Sequence, residues 1–271
     1  MASVKRIRAA QLPQPPAGAD RVFITRDTVI VLDGASAFGP TAVSPADYAD
    51  RLGAEIGSAV TASPAETLPR ILATAITAAA VALNLPDDDG PSSTVAIARV
   101  RNGTADLLLL GDGYLAYRSS GATTVLSDDR LDRLGLPQAS LYRERLTSGA
   151  GYGPAHTAIL RELQAGQRTR RNVPGGYWIA SANPEAAMHA ITRILPTASL
   201  EWIVLATDGA VDTARHLGLD DWEAIACSDQ ARLASLLQQC HGWEEEADPD
   251  GQRCPRAKRH DDKAIVAVRL S

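Results

Sequence analysis

Apolar residues cluster along this chain in short runs that end abruptly in aspartate or glycine. Val29-Ile-Val-Leu32, Leu107-Leu-Leu-Leu110, Trp202-Ile-Val-Leu-Ala206 and Ala264-Ile-Val-Ala-Val268 have the length of buried strands. Strand patterns also cover Val4 to Ala9, Val22 to Thr25 and Val29 to Leu32, the last two forming a hairpin turned at Arg26-Asp27. A meander follows over Thr94–Val100, Ala105–Leu110, Tyr114–Arg118 and Thr123–Leu126, with Asn102-Gly103 and Ser120-Gly121 at two turns. Tyr177–Ser181 and Trp202–Ala206 read as further strands.

Helix signals lie between these runs. Ser44-Pro45 is a capping serine with proline in the first turn, starting a helix to about Val60. Ser63-Pro64-Ala65-Glu66 has the form of a capping box before an Ala-rich helix to about Leu85. One helix is expected in the polar stretch 128–175, from about Ala155 to Ala165, and others over Glu185–Leu195, from about Trp222, and over Asp229–Gln239. Leu12-Pro-Gln-Pro-Pro16 is not helix interior, Asp87-Asp-Asp-Gly90 breaks the chain, and Trp243 to Lys258 reads as a polar loop. Alternating βαβ order is absent, which points to sheets covered by helices within one domain, 1–271.

Aspartates change this picture. Asp33-Gly34, Asp112-Gly113 and Asp208-Gly209 each follow an apolar run, and Asp261-Asp262 opens the last one. A buried strand delivers its final side chain to the sheet rim, and a following glycine lets the backbone turn sharply. Any one Asp-Gly is explained by a turn alone. Several converging on one rim would supply the oxygen ligands that Mg²⁺ or Mn²⁺ requires.

Composition narrows the class. With 271 residues and 45% apolar content a sizeable core is available, and a net charge of −5 without a basic face or tail argues against a nucleic-acid partner. The longest apolar stretch, Ala73 to Leu85, is too short to span a bilayer, and the N-terminus has no secretory pattern. Cys227, Cys240 and Cys254 lack disulfide-framework spacing, so a cytoplasmic protein is expected.

The order VLDGAS, SSTVAIA, LLLLGDGYLAYR, VLATDG, HDDKAIVAV, across residues 18–271, resembles the motif series of the metal-dependent (type 2C) serine/threonine protein phosphatases. The resemblance implies an α+β fold, a four-layer α/β/β/α sandwich of two mainly antiparallel sheets flanked by helices. It implies two Mg²⁺ or Mn²⁺ ions, with Asp33 bridging them, the Gly34 carbonyl on one, and Asp208 and Asp261 completing the shell of the second ion. Asp112 would hold a third ion, Thr94 would pack behind the centre, and Asp262 takes the place of the family's asparagine. Two cations about 3.5–4 Å apart acidify a water for in-line attack on phosphorus, without a protein nucleophile. The implied activity is hydrolysis of phosphoserine or phosphothreonine in a protein. The alternatives are a small-molecule phosphatase, or a silent module that binds a phosphorylated partner.

Three departures stand out. Gly18-Ala19-Asp20 replaces the family's Asn-Glu-Asp, so Ala19 stands for the glutamate and Pro15 or Pro16 falls near the expected phosphate-binding arginine. Arg6 or Arg8 would then have to reach the phosphate. Gly113 replaces a serine, and the Gly34–Gly39 turn is stretched. Among other features, Arg168, Arg170 and Arg171 form a basic cluster, read as a solvated loop or as a flap docking an acidic or phosphorylated partner. Asp87–Asp89, Asp128-Asp129 and Glu244–Glu246 read as solvated acidic turns. His260 is weighed as a general acid against a surface or capping role. Cys240-His241 with Cys254 and His260 lacks the close cysteine pair of a zinc site.

Overall fold

The structure, a computed structural model, describes residues 4–35, 42–85 and 90–270. The expectations for Asp87–Asp89 and for the stretched turn at Gly39 fall outside the described residues. Among the described residues, ten strands form two antiparallel five-stranded sheets. One sheet runs β2 (Arg21–Ile24), β3 (Thr28–Gly34), β4 (Ser93–Arg101), β5 (Thr104–Leu110), β8 (Ile191–Pro196). The other runs β1 (Val4–Leu12), β10 (Lys263–Leu270), β9 (Leu200–Ala206), β6 (Tyr114–Ser119), β7 (Ala122–Ser127).

The apolar runs lack alternation because their strands are covered on both faces. In β3, Val29 and Val31 pack between the sheets with Leu107, Leu109, Ile203, Leu205 and Val266. Ile30 and Leu32 point the other way, onto α1 (Pro45–Ala62) and α2 (Leu68–Ala82) through Leu52, Ile56 and Leu72. Behind the second sheet, Val204, Ile265 and Ala267 pack on α5 (Asp208–His216), α6 (Trp222–Cys227) and α7 (Gln230–Glu246) through Val211, Ile225, Leu233 and Leu237. The result is the expected α/β/β/α sandwich. A smaller cluster joins α3 (Pro137–Thr147) to α4 (Pro154–Arg168) through Tyr142, Leu146, Leu160 and Leu163. No helix among the described residues is long and apolar enough to cross a membrane.

Several local expectations are corrected. The meander is split: β4 and β5 belong to one sheet, β6 and β7 to the other. Gly111, at φ +86°, makes the crossing, and a Cβ there would lie 2.9 Å from Thr94 Cγ2. Ser63 closes α1 instead of opening α2, its N–H bonding Ala59 O at 2.9 Å. The helix that follows starts later, after Thr67, with Pro69 in its first turn where no N–H is needed.

Tyr177–Ser181 forms two isolated bridges, Arg171–Tyr177 and Ser93–Ala180, and no full strand. Glu185–Leu195 is a 3₁₀ turn (Pro184–His189) followed by β8, whose β-branched Ile191, Thr192 and Ile194 suit an edge strand. The stretch 128–175 holds two helices; α3 escaped notice because only Tyr142 and Leu146 of its residues are buried. Asp208-Gly209 opens the helix α5 where the Asp-Gly pair predicts only a turn. The supposed acidic turn at Glu244–Glu246 is the last turn of α7, with Glu244 only 1% exposed. Asp128 is likewise buried, paired with Arg130.

Candidate metal centre

Strand periodicity places the first aspartate. Asp33 shares a face with Val29 and Val31, so it stands at the rim of the space between the sheets, opposite Thr94 in the β3–β4 register. Asp112 follows the Gly111 crossing from one sheet to the other. Asp208 begins α5, and Gly209 lets that first turn nest on the 261–262 backbone; a Cβ on Gly209 would lie 2.1 Å from Asp262 O. Asp33, Asp112, Asp208 and Asp261 therefore line one cleft of about 490 Å³, although they come from four distant segments.

The far wall of this cleft is the α3–α4 flap, which contributes Tyr142, Arg143, Gln164 and Arg168, with Arg171 just beyond. His156 ties the flap to the segment before β10, its Nε2 lying 2.9 Å from Ala257 O. Of the basic cluster, Arg168 and Arg171 line the cleft while Arg170 is exposed; Arg171 is buried and holds Gly90 O at 3.2 Å.

The carboxylates crowd one another. Withdrawal from water raises Asp33 and Asp208 well above the ordinary carboxyl range, with Asp20 and Asp208 adding to Asp33 and Asp261 to Asp208. Burial, then the neighbouring Asp132, Asp212 and Asp128, pushes Asp112 up to about 6. Asp261 accepts from its neighbour's N–H, Asp262 N, at 3.0 Å, and its Oδ1 also meets Lys258 Nζ at 2.5 Å. Burial by itself lowers a lysine, but Asp261, Asp33 and Asp262 outweigh it and raise Lys258.

Sequence reasoning passed over Asp20. It is 5% exposed; Oδ2 accepts from Thr207 Oγ1 at 2.7 Å, while Oδ1 is buried and meets no donor among the described residues. Burial is the main cause that raises its carboxyl to about 7, and Asp261 and Asp262 add to it. The signal was present: Asp20 ends the Gly18-Ala19-Asp20 segment and keeps the last residue of the family's Asn-Glu-Asp. The altered part of that segment packs against the rim. Ala19 N donates to Asp262 Oδ2 at 2.6 Å, and Gly34 N donates to Ala19 O at 3.2 Å. A Cβ on Gly34 would lie 2.8 Å from Ala19 Cβ and from Pro45 O, so glycine alone fits there.

Other expectations fail at this point. Arg6 and Arg8 pair with Arg269 and Ala267, well back along β10 from the rim, and neither lines the cleft. His260 does not line the cleft, and its Nδ1 lies 3.2 Å from Glu244 Oε2, so it is not placed as a general acid.

Hard oxygen donors crowded without enough internal cation, together with an orphaned oxygen on Asp20, fit divalent ions. No protein-family model and no curated protein matches the sequence. Solved structures do. The PPM Ser-Thr phosphatase MsPP from Mycobacterium smegmatis, in complex with cacodylate, is 14% identical with a TM-score of 0.55, covering 100% of both chains. The Mycobacterium tuberculosis serine/threonine phosphatase PstP/Ppp is 14% identical with a TM-score of 0.56, covering 98% of each chain. The catalytic domain of PstP in complex with 2 manganese ions is 13% identical with a TM-score of 0.55, covering 98% of this chain and 97% of that one. This chain has the fold of the PPM serine/threonine phosphatases.

Proposed function

We propose that the protein is a metal-dependent phosphatase acting on phosphoserine and phosphothreonine monoesters of cytoplasmic phosphoproteins. The observation that carries this reading is the convergence of Asp33, Asp112, Asp208 and Asp261 on one cleft rim. In it, Asp33, the Gly34 carbonyl, Asp208 and Asp261 hold two Mg²⁺ or Mn²⁺ ions, with Asp112 offering a third position. When bound, these ions supply water activation and charge neutralisation for in-line displacement at phosphorus.

The chain's own residues set the geometry. Thr207 holds one oxygen of Asp20 and leaves the other buried without a donor among the described residues. Thr94 closes the floor behind Asp33. Gly209 keeps α5 seated against the Asp261 segment. On the opposite wall, Arg143 and Arg168 face the acidic rim across the cleft, where a phosphate and its flanking peptide would lie.

Ala19 favours a second reading, a weakened enzyme or silent phospho-partner module, because the second-shell carboxylate of the resemblance is missing and such losses cost about 10–100-fold. Phosphate release from p-nitrophenyl phosphate and a phosphothreonine peptide, with Mn²⁺ titrated from none to millimolar, separates the two. Mn²⁺-dependent turnover that disappears in Asp208→Asn supports the enzyme. Peptide binding without turnover at any ion concentration supports the silent module, and turnover restricted to metabolite phosphates shifts the substrate class.

A further inference from the structure

Beside the aspartates, where Glu244 lines the cleft next to Asp261, lies a group that the phosphatase reading does not use. His241 and Glu244 stand three apart on α7, so both face the same way, and His260 comes to them from the segment before β10. One ligand atom from each can be chosen so that all three lie within 4.8 Å of one another. The two imidazoles are already face to face, with ring centroids 4.1 Å apart and tilted by 31°. His260 Nδ1 and Glu244 Oε2 are 3.2 Å apart. Two ligand atoms on one tetrahedral ion lie about 3.3–3.6 Å apart, given bond lengths of about 2.0–2.2 Å. That pair already has the required spacing, and the His241 ring is only partly buried at the helix surface.

We propose that His241, Glu244 and His260 form a second metal site, selective for a borderline transition ion such as Zn²⁺ or Co²⁺ and distinct from the aspartate centre. Two imidazoles and one carboxylate suit such ions, whereas Mg²⁺ prefers oxygen alone.

Lys263 sets the strength. Its Nζ lies 2.9 Å from Glu244 Oε1 and 3.0 Å from Oε2, and Thr213 Oγ1 donates to Oε1 at 2.6 Å. The carboxylate is thus already neutralised, and the ion is exchangeable, unlike one in a permanent structural site. Because His260 immediately precedes Asp261, an ion here also anchors the segment that presents Asp261 to the cleft.

The test is a Co²⁺ titration of the chelator-treated full chain in excess Mg²⁺, which fills oxygen-only sites, read by visible absorption. The expected result is the intense d–d spectrum of a tetrahedral ion, saturating at one Co²⁺ per chain. His241→Ala and His260→Gln abolish it, whereas Asp33→Asn and Asp208→Asn keep it; circular dichroism checks that each variant is folded. A spectrum without intense bands, bands that survive His241→Ala in a folded protein, or bands lost in Asp208→Asn each overturn the proposal.

Discussion

The two acidic groups on either side of Asp261 are built from the same chemistry and treated oppositely. Glu244 is 1% exposed, yet its charge is met inside the fold by Lys263, Thr213 and His260. At the rim, Asp20, Asp33, Asp112, Asp208 and Asp261 crowd together, and among them Asp261 pairs with Lys258 at 2.5 Å. A matched buried charge serves the architecture. An unmatched cluster raises its own proton affinity and waits for a cation from outside.

Asp208→Asn gives the largest contrast. It should bring Mn²⁺-dependent phosphate release to background while leaving the metal-free fold as stable as before or more so, because a crowded charge is removed; a loss of folding stability would place Asp208 among the architectural charges. Lys263→Met should do the reverse at the matched site, destabilising the chain by about 3–5 kcal/mol in urea unfolding through a buried, unpaired Glu244.

Next in size is a pH effect on the metal-free protein. Asp20 has its folded pKa raised from 3.8 to about 7, so the folded state keeps a proton that the unfolded chain releases. Stability should therefore fall as pH rises from about 4 to about 7, by up to about 1.4 kcal/mol per pH unit for each such group. Mn²⁺ should flatten the slope. A metal-free protein that gains stability over the same range would mean that the rim carboxylates are already paired.

Asp20→Asn should weaken Mn²⁺ binding measured by calorimetry by about 10–100-fold, since Asp20 supplies the orphaned oxygen. The smallest effect is expected from Lys258→Met. Its ion pair is partly exposed, with side chains 32% and 28% open, so releasing Asp261 should tighten Mn²⁺ binding by no more than about fivefold. Weaker binding in Lys258→Met would show that the lysine supports the centre instead of competing with the ion.

What could be read in advance, and what could not, divides along the same lines. Val29–Leu32, Trp202–Ala206 and the last strand were legible because a strand covered on both faces must be apolar throughout. The α3–α4 flap was half missed, since an exposed helix pair that buries little apolar surface carries weak periodicity. Glu244 was misplaced for a different reason: three consecutive glutamates read as solvent-facing, and only the approach of Lys263 from another element makes burial of the first tolerable.

The chain by itself determined sheets covered by helices and the four strand-end aspartates, because both rest on local rules of strand burial and turn chemistry, while the four-layer α+β arrangement came from the resemblance of its motif series. Tertiary structure decided which carboxylates meet, that Asp20 joins them with an oxygen to offer, that Arg6 and Arg8 lie away from the cleft, and that His260 turns to Glu244. Those outcomes depend on which elements approach one another at the rim, and the charge on one strand end carries no record of the charge it will face.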